Sequence, residues 1–337
     1  MMKGRLYMEF VEYDWRDYSL LRRDKERKQK QILHLEGTGL CEGENGAEFC
    51  FVPTKFMEEM EKELESGFSI LKVENHEVDI CGEVYFTSKI EGCHTTYKRT
   101  QELHDGKPVD PDDFFSENMI VGGFNATKYM NVHGNRLDED ILVNMWRILT
   151  EGCRDNEDLM GEKYRTGDVS VGKHMGLPFS LVEDAMRDWV SYYNSDTMND
   201  YPFIKAALLH YSFEYTHPFC DGNGRAGRLL MVNYLIGQGY DAVRAVSFSK
   251  NIEKNLPAYY AAFSRSENSY TDCTPFIEYM LEVYVETLDE VLEKGLVLDE
   301  VSEVPGELQA SSTPDALAMS PELLTATPGN CLSAIRW

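Results

Sequence analysis

Between positions 217 and 228 the chain reads HPFCDGNGRAGR, which gathers an imidazole, a carboxylate and two guanidiniums around a glycine-rich turn. Gly222 and Gly224 at the opening of a helix would let consecutive backbone N–H groups converge, and with the helix dipole they form an anion nest. Arg225 and Arg228 are three apart on that helix, a spacing that lets both face one anion. The Asp221 carboxylate would be repelled by a phosphate unless a cation lay between them, which predicts Mg2+ bridging Asp221 and phosphate oxygens. His217 lies across the loop, placed to take a proton from an attacking hydroxyl. These are the parts of a phosphoryl-transfer site.

Other readings of the same residues stay open at this level. GNGRAG matches the dinucleotide pattern G-x-G-x-x-G, with Asp241 at the right distance. That fingerprint follows a strand, however, and here a helix-patterned segment precedes it. His210, His217 and Asp221 could form a metal site, although His210 sits among apolar neighbours and reads as a satisfied core histidine. A plain glycine-rich turn is the remaining alternative.

The elements that must hold this loop are helical. Leu142, Met145, Trp146 and Leu149 recur at helical spacing, as do Val182, Ala185, Met186, Trp189 and Tyr193. A helix from Phe203 to Tyr215 leads into His217, with Pro202 in its first turn, Asp200 as its cap and Pro218 as its stop. A second helix opens at the glycines and is closed by Gly237 and Gly239, and a last long helix carries Phe276, Tyr279, Met280, Val283 and Leu288. Val169 and Val171 alternate with polar residues in GDVSVGK, which predicts a short β-ribbon. The fold class is mainly α with a minor hairpin.

The 337 residues comprise 42% hydrophobic side chains, a globular profile. Lys and Arg number 33 against 58 Asp and Glu, giving a net charge of −25. A surface this acidic argues against nucleic-acid and membrane partners; the basic stretch from Leu20 to Lys30 reads as a solvated helical face. The eight cysteines form neither a disulfide framework nor a zinc pattern, and no stretch is long and apolar enough to span a bilayer, so a cytoplasmic protein is expected. Residues 1–78 form an N-terminal segment of unassigned role, with a glycine loop at 37–46 and an acidic helix at Phe56–Leu64 in which Lys62 pairs with Glu58. A core spans 79–298, and 299–337 read as a disordered tail.

HPFCDGNGRAGR matches the Fic family signature HxFx[DE]GN[GA][KR]xxR at every defined position, and residues 80 to 295 resemble the Fic core. The resemblance implies a Fic-type helical bundle with a β-hairpin flap, and a nucleotidyltransferase moving AMP from ATP to a Ser, Thr or Tyr hydroxyl of a protein, itself included. It implies His217 as general base and Asp221 as the Mg2+ ligand. The backbone from Gly222 to Gly224, with Asn223, would cradle the phosphates, Arg225 would contact them, and Arg228 would take the terminal one. Phe219 would be a core anchor. Tyr259 and Tyr260 resemble residues near the family's adenine pocket, or serve as core tyrosines. The run YRTGDVSVG resembles the target-docking flap, at Asp168, Val169, Ser170, Val171 and Gly172.

Upstream, Thr87 to Gly92 (TSKIEG) matches the family's inhibitory pattern [ST]xxxE[GN]. The class with an N-terminal inhibitory helix, here about 87–104, is implied. Glu91 would form a bidentate pair with Arg228 and so occupy the guanidinium meant for the γ-phosphate. In some members the equivalent Glu also supports AMP removal. A homodimer is compatible with the sequence. Two alternatives remain: a Fic-type transferase moving UMP, phosphocholine or phosphate, and a non-catalytic nucleotide-binding switch held closed by Glu91.

Overall fold

The computed structural model describes residues 49, 51–71, 80–134, 136–155, 157–171, 174–268 and 272–293. The basic stretch at 20–30, the glycine loop at 37–46, Gly172 of the flap and the tail at 299–337 lie outside the described residues.

The architecture is helical and is organised around one buried helix. In chain order the α-helices are α1 (Lys55–Ile70), α2 (Ile80–Ile90), α3 (Tyr97–His104), α4 (Phe114–His133), α5 (Glu139–Leu149), α6 (Phe179–Tyr193), α7 (Pro202–Thr216), α8 (Asn223–Gly237), α9 (Phe248–Lys254), α10 (Leu256–Glu267) and α11 (Thr274–Glu293). A two-stranded antiparallel ribbon, β1 (Ser170–Val171) and β2 (His174–Met175), precedes α6, with Ser170 opposite Met175. Helix α7 is buried on every face from Pro202 to Phe213, and α1, α6, α8 and α11 pack around it. Its sequence dictates this: FIKAALLHYSF has no polar stripe, and the two alanines let neighbouring helices approach closely.

The expected division at residue 78 is not where the core ends. Phe49, Phe51, Met57, Leu64 and Phe68 belong to the same hydrophobic cluster as α7. Phe68 stacks on Phe203 at 5.6 Å. Burying such a ring contributes ~1.5–3 kcal/mol, so α1 is part of the core. The expected Lys62–Glu58 pair is present on its outer face at 2.7 Å.

Two expectations about helix ends are corrected. Pro202 does occupy the first turn of α7, but Asp200 does not cap it. The Glu61 carboxylate on α1 accepts from Phe203 N at 2.8 Å and Ile204 N at 2.9 Å, satisfying the orphan amides of the helix start. The proposed single helix over 87–104 is two helices, α2 and α3, separated by a turn. Gly92, at φ 85°, ends α2 in a conformation that suits glycine, and Thr96 caps α3.

Candidate active site

Helix α7 ends at Thr216, and His217 follows in the left-handed region at φ 50°, ψ 62°. Pro218 lacks the N–H needed to continue a helix. Phe219 is fully buried and stacks on Trp146, with centroids 4.4 Å apart and planes at 9°. Trp146 Nε1 donates to Asp221 O at 2.8 Å, fixing the loop floor. Gly222, at φ 76°, then precedes the first turn of α8.

The Asn223 side chain is engaged within the loop. Its Oδ1 accepts from Phe219 N and its Nδ2 donates to Phe219 O, both at 3.0 Å. The amide thereby forms a clasp across the turn, and what it leaves for an anion is the backbone N–H groups of Asn223 and Gly224, since Gly222 N donates to Asp221 Oδ1.

The two arginines diverge. Arg228 is buried and points at α2: Nε donates to Thr87 Oγ1 at 2.7 Å, and Nη2 to Thr87 O at 3.2 Å. Nη2 also donates to Glu91 Oε1 at 2.6 Å. The Glu91 pair is thus made through one oxygen, and Thr87 takes the donors that a bidentate pair would use. Arg225 folds under the loop instead, with Nη1 3.3 Å from Cys153 Sγ and Nη2 3.7 Å from Asp221 Oδ2. Spacing puts both arginines on one helix face, but their flexible stems carry the guanidiniums apart.

Glu91 sits one residue beyond the C-terminus of α2, with its side chain 34% exposed. Its Oε1 lies against Gly224, where a built Cβ would overlap it. The carboxylate therefore rests on the amide end of α8. Helix α2 is held there by Glu83, which accepts from Ser247 Oγ at 2.9 Å, from Ser249 N at 3.1 Å and from Ser249 Oγ. Lys89 pairs with Glu253 at 2.9 Å.

Electrostatics follow burial. Burial pushes the His217 imidazole down to about 4, assisted by the charges of His174 and Arg165, so its neutral form dominates near neutral pH. Burial works against the charge on Arg228, but Glu91, together with Tyr259 and Glu214, more than offsets this and raises its pKa. Burial raises Asp221, against the opposing pull of Arg225 and the N–H groups of Asp155 and Gly222.

Asp221 Oδ1 accepts from Gly222 N at 2.6 Å and Oδ2 from Asp155 N at 3.2 Å, leaving lone pairs on a side chain 29% exposed. Among the described residues no group of three His, Cys, Asp or Glu could hold a metal ion alone. One carboxylate completed by ligand phosphates and water is a donor set that suits Mg2+. The three-residue metal site is not formed: His210 is buried, and its Nε2 lies 3.0 Å from Tyr259 Oη. His210 is also not fully satisfied, because its Nδ1 and the Glu214 Oε1 4.0 Å away both lack hydrogen-bond partners.

Tyr259 is a core tyrosine, 4% exposed, whereas Tyr260 beside it is 49% exposed. The ribbon places Asp168, Val169, Ser170 and Val171 ahead of its turn. Sequence reasoning missed Glu61, Arg165, His174 and Glu214. Glu214 was signalled by its spacing of four from His210 on an otherwise apolar helix; the other three act across long sequence separations and left no local pattern.

The family model described as the Fic/DOC family matches residues 136–235. This stretch is a Fic domain. Protein adenylyltransferase Fic of Drosophila mojavensis is 29% identical over 251 residues, which cover 71% of this chain and 47% of that protein. That of Drosophila melanogaster is 30% identical over 214 residues, covering 61% and 41%. The chain thus spans less than half the length of these relatives. A Fic family protein from Desulfovibrio desulfuricans G20 superposes with TM-score 0.61 at 22% identity, covering 74% of this chain and 78% of that one. Fic-1 from C. elegans gives 0.56 at 20% identity, covering 72% and 71%. These two superpositions establish the Fic fold. Glu61 and the Thr87–Gly92 motif both fall outside the matched residues.

Proposed function

We propose that this Fic domain transfers AMP from ATP to a hydroxyl side chain of a protein and that Glu91 restrains it. The observation that carries the reading is the convergence on one loop of a neutral His217, the amide end of α8 and Arg228, with Glu91 lying across the last two. In this reading His217 takes the proton from the target hydroxyl as its oxygen attacks the α-phosphorus. The bond to the bridging oxygen breaks, and pyrophosphate leaves. The N–H groups of Asn223 and Gly224, together with Arg228, hold phosphate charge. Asp221 would hold Mg2+, which when bound supplies charge neutralisation on the phosphates. Tyr260, exposed beside the site, is the residue of the tyrosine pair open to an adenine ring.

Glu91 restrains the site in two ways. It neutralises Arg228, and it lies on the Gly224 backbone where a phosphate would rest. ATP must displace it to align its α-phosphate for in-line attack. The spacing of the eight cysteines, which matches neither a disulfide framework nor a zinc site, supports a reducing, cytoplasmic setting. Among the described residues no helix is long and apolar enough to cross a membrane.

The test is intact-protein mass spectrometry of wild type and Glu91→Gly after incubation with ATP and Mg2+, which needs no known target if the chain modifies itself. A gain of one AMP mass, larger in the variant, supports transfer and restraint together. A phosphate-sized gain moves the reading to phosphoryl transfer. Saturable ATP binding without any label, with or without added candidate proteins, would identify a nucleotide-binding switch.

A further inference from the structure

The end of α7 and the two residues that follow it present the carbonyls of Tyr215, Thr216, His217 and Pro218, and the segment that carries the ribbon lies against all four, Arg165 donating to the last three. The His174 ring bridges Glu267 Oε1, 2.7 Å from its Nδ1, and Tyr215 O, 3.2 Å from its Nε2. Arg165 Nη2 donates to Thr216 O at 3.3 Å, its Nε to His217 O at 2.7 Å, and its backbone N to Pro218 O at 3.0 Å. The same guanidinium donates to Gly167 O at 2.7 Å, just before β1, and to Leu177 O, just after β2. The Arg165 side chain is fully buried, with Asp168 its ion-pair partner at 3.8 Å. Gly176 closes the arrangement: a Cβ there would come 3.0 Å from Arg165 Nη2 and 3.2 Å from His217 Cβ.

A non-glycine residue in the left-handed region persists only where its surroundings over-determine it. His217 is such a residue, and Arg165 holds the carbonyls on both sides of its Cα. Both ends of the flap hang from the same planar fork. Any displacement of the flap is therefore passed to the backbone that aims the His217 ring.

We propose that Arg165 is a positioning residue that fixes the flap and His217 as one unit, so that a protein docked along the flap is delivered in register with the base. The catalytic part of this inference rests on the assignment of His217 above. A lysine would retain the charge but could not reach these carbonyls together, because a single ammonium lacks the fork.

The test uses the full chain carrying Glu91→Gly, compared with and without Arg165→Lys, Arg165→Gly or Gly176→Ala. The expected result is a fall in kcat for AMP transfer of about 100-fold, the size expected for misplacing a reacting group by an ångström, with the Kd for ATP changed less than twofold. Millimolar guanidinium should restore part of the activity to Arg165→Gly and none to Gly176→Ala. Undiminished kcat in Arg165→Lys, or ATP affinity lost in step with transfer, would overturn the proposal. Gly176→Ala keeps every Arg165 donor, and so reads the geometry even if an Arg165 variant fails to fold. Amide hydrogen exchange supplies a readout independent of activity. Residues 166–171 and 174–177 should lose protection together with 216–219 in Arg165→Lys, and loss confined to one segment would refute the coupling. If the Glu91→Gly parent transfers no AMP, the assignment of function fails while the exchange result still decides the coupling.

Discussion

Replacing Glu91 by glycine should release the site, and the structure sets the size of the effect. In wild type Arg228 Nη2 meets Glu91 Oε1 at 2.6 Å, with Arg228 1% and Glu91 34% exposed. A hydrogen bond to a charged group is worth ~1.5–3 kcal/mol. Solvent on the Glu91 side screens it, so ~1–2 kcal/mol is the appropriate range. A ligand that needs Arg228 free binds more weakly by the fraction of molecules in which it is free. That free energy corresponds to a fraction of roughly one in five to one in thirty. Glu91→Gly should therefore raise the initial rate of AMP incorporation at subsaturating ATP by ~5–30-fold, chiefly through KM for ATP. The assay is mass-spectrometric or radiolabel incorporation over an ATP series. Arg228→Ala added to Glu91→Gly should abolish the gain, because no guanidinium then remains to be freed. A rise below twofold, or a gain that survives Arg228→Ala, would refute the reasoning.

His217→Ala should eliminate transfer while leaving ATP affinity within twofold in a binding titration; retained transfer would remove His217 as the base. Because the His217 pKa is depressed to about 4, the base should impose no fall in rate from pH 8 to 6, with loss only on approach to about 4; a midpoint near 6.5 would contradict its burial. The same depression makes its contribution to stability complete above its ordinary 6.5 and progressively lost as pH falls toward 4, to be read as the His217→Ala difference in urea midpoint between pH 7 and 4.5. Glu61→Ala should cost ~2–3 kcal/mol in denaturant unfolding by stranding two buried amides, and a cost under ~0.5 kcal/mol would show that the cap is dispensable. Gly224→Ala should push Glu91 off the amide end of α8 and loosen its grip on Arg228, visible as faster hydrogen exchange at residues 91–93; unchanged exchange would mean that the overlap is relieved elsewhere.

The order of helices around the loop was legible in the sequence because apolar periodicity and the Pro and Gly stops are local signals. So were the ribbon, the turn at Gly222 and the contact between the Thr87–Glu91 motif and Arg228, the last through family resemblance. What was not legible depends on partners distant in sequence or on rotamers. Asn223 spends its amide on Phe219, four residues back, and Arg225 and Arg228 part company through their stems. Glu61 reaches α7 across 142 residues to do what Asp200 was expected to do. Arg165 is buried on carbonyls, and nothing local in the sequence distinguishes a guanidinium facing water from one facing carbonyls.

The loop is the meeting point of two helices of opposite polarity. Helix α8 offers its positive end to a ligand, whereas α7 arrives carbonyl-first and on its own would repel any anion drawn there. The donors from Arg165 mask that negative pole. With Glu61 at the other end of α7, the helix has its partial charges at both ends already satisfied, so it contributes little long-range field where the reaction would occur. The potential sensed by a phosphate is then written mainly by α8 and its arginines. On this account the salt dependence of ATP association should respond to Arg228→Ala far more than to Arg165→Lys, which keeps a positive charge beside the α7 carbonyls and leaves ATP affinity within twofold.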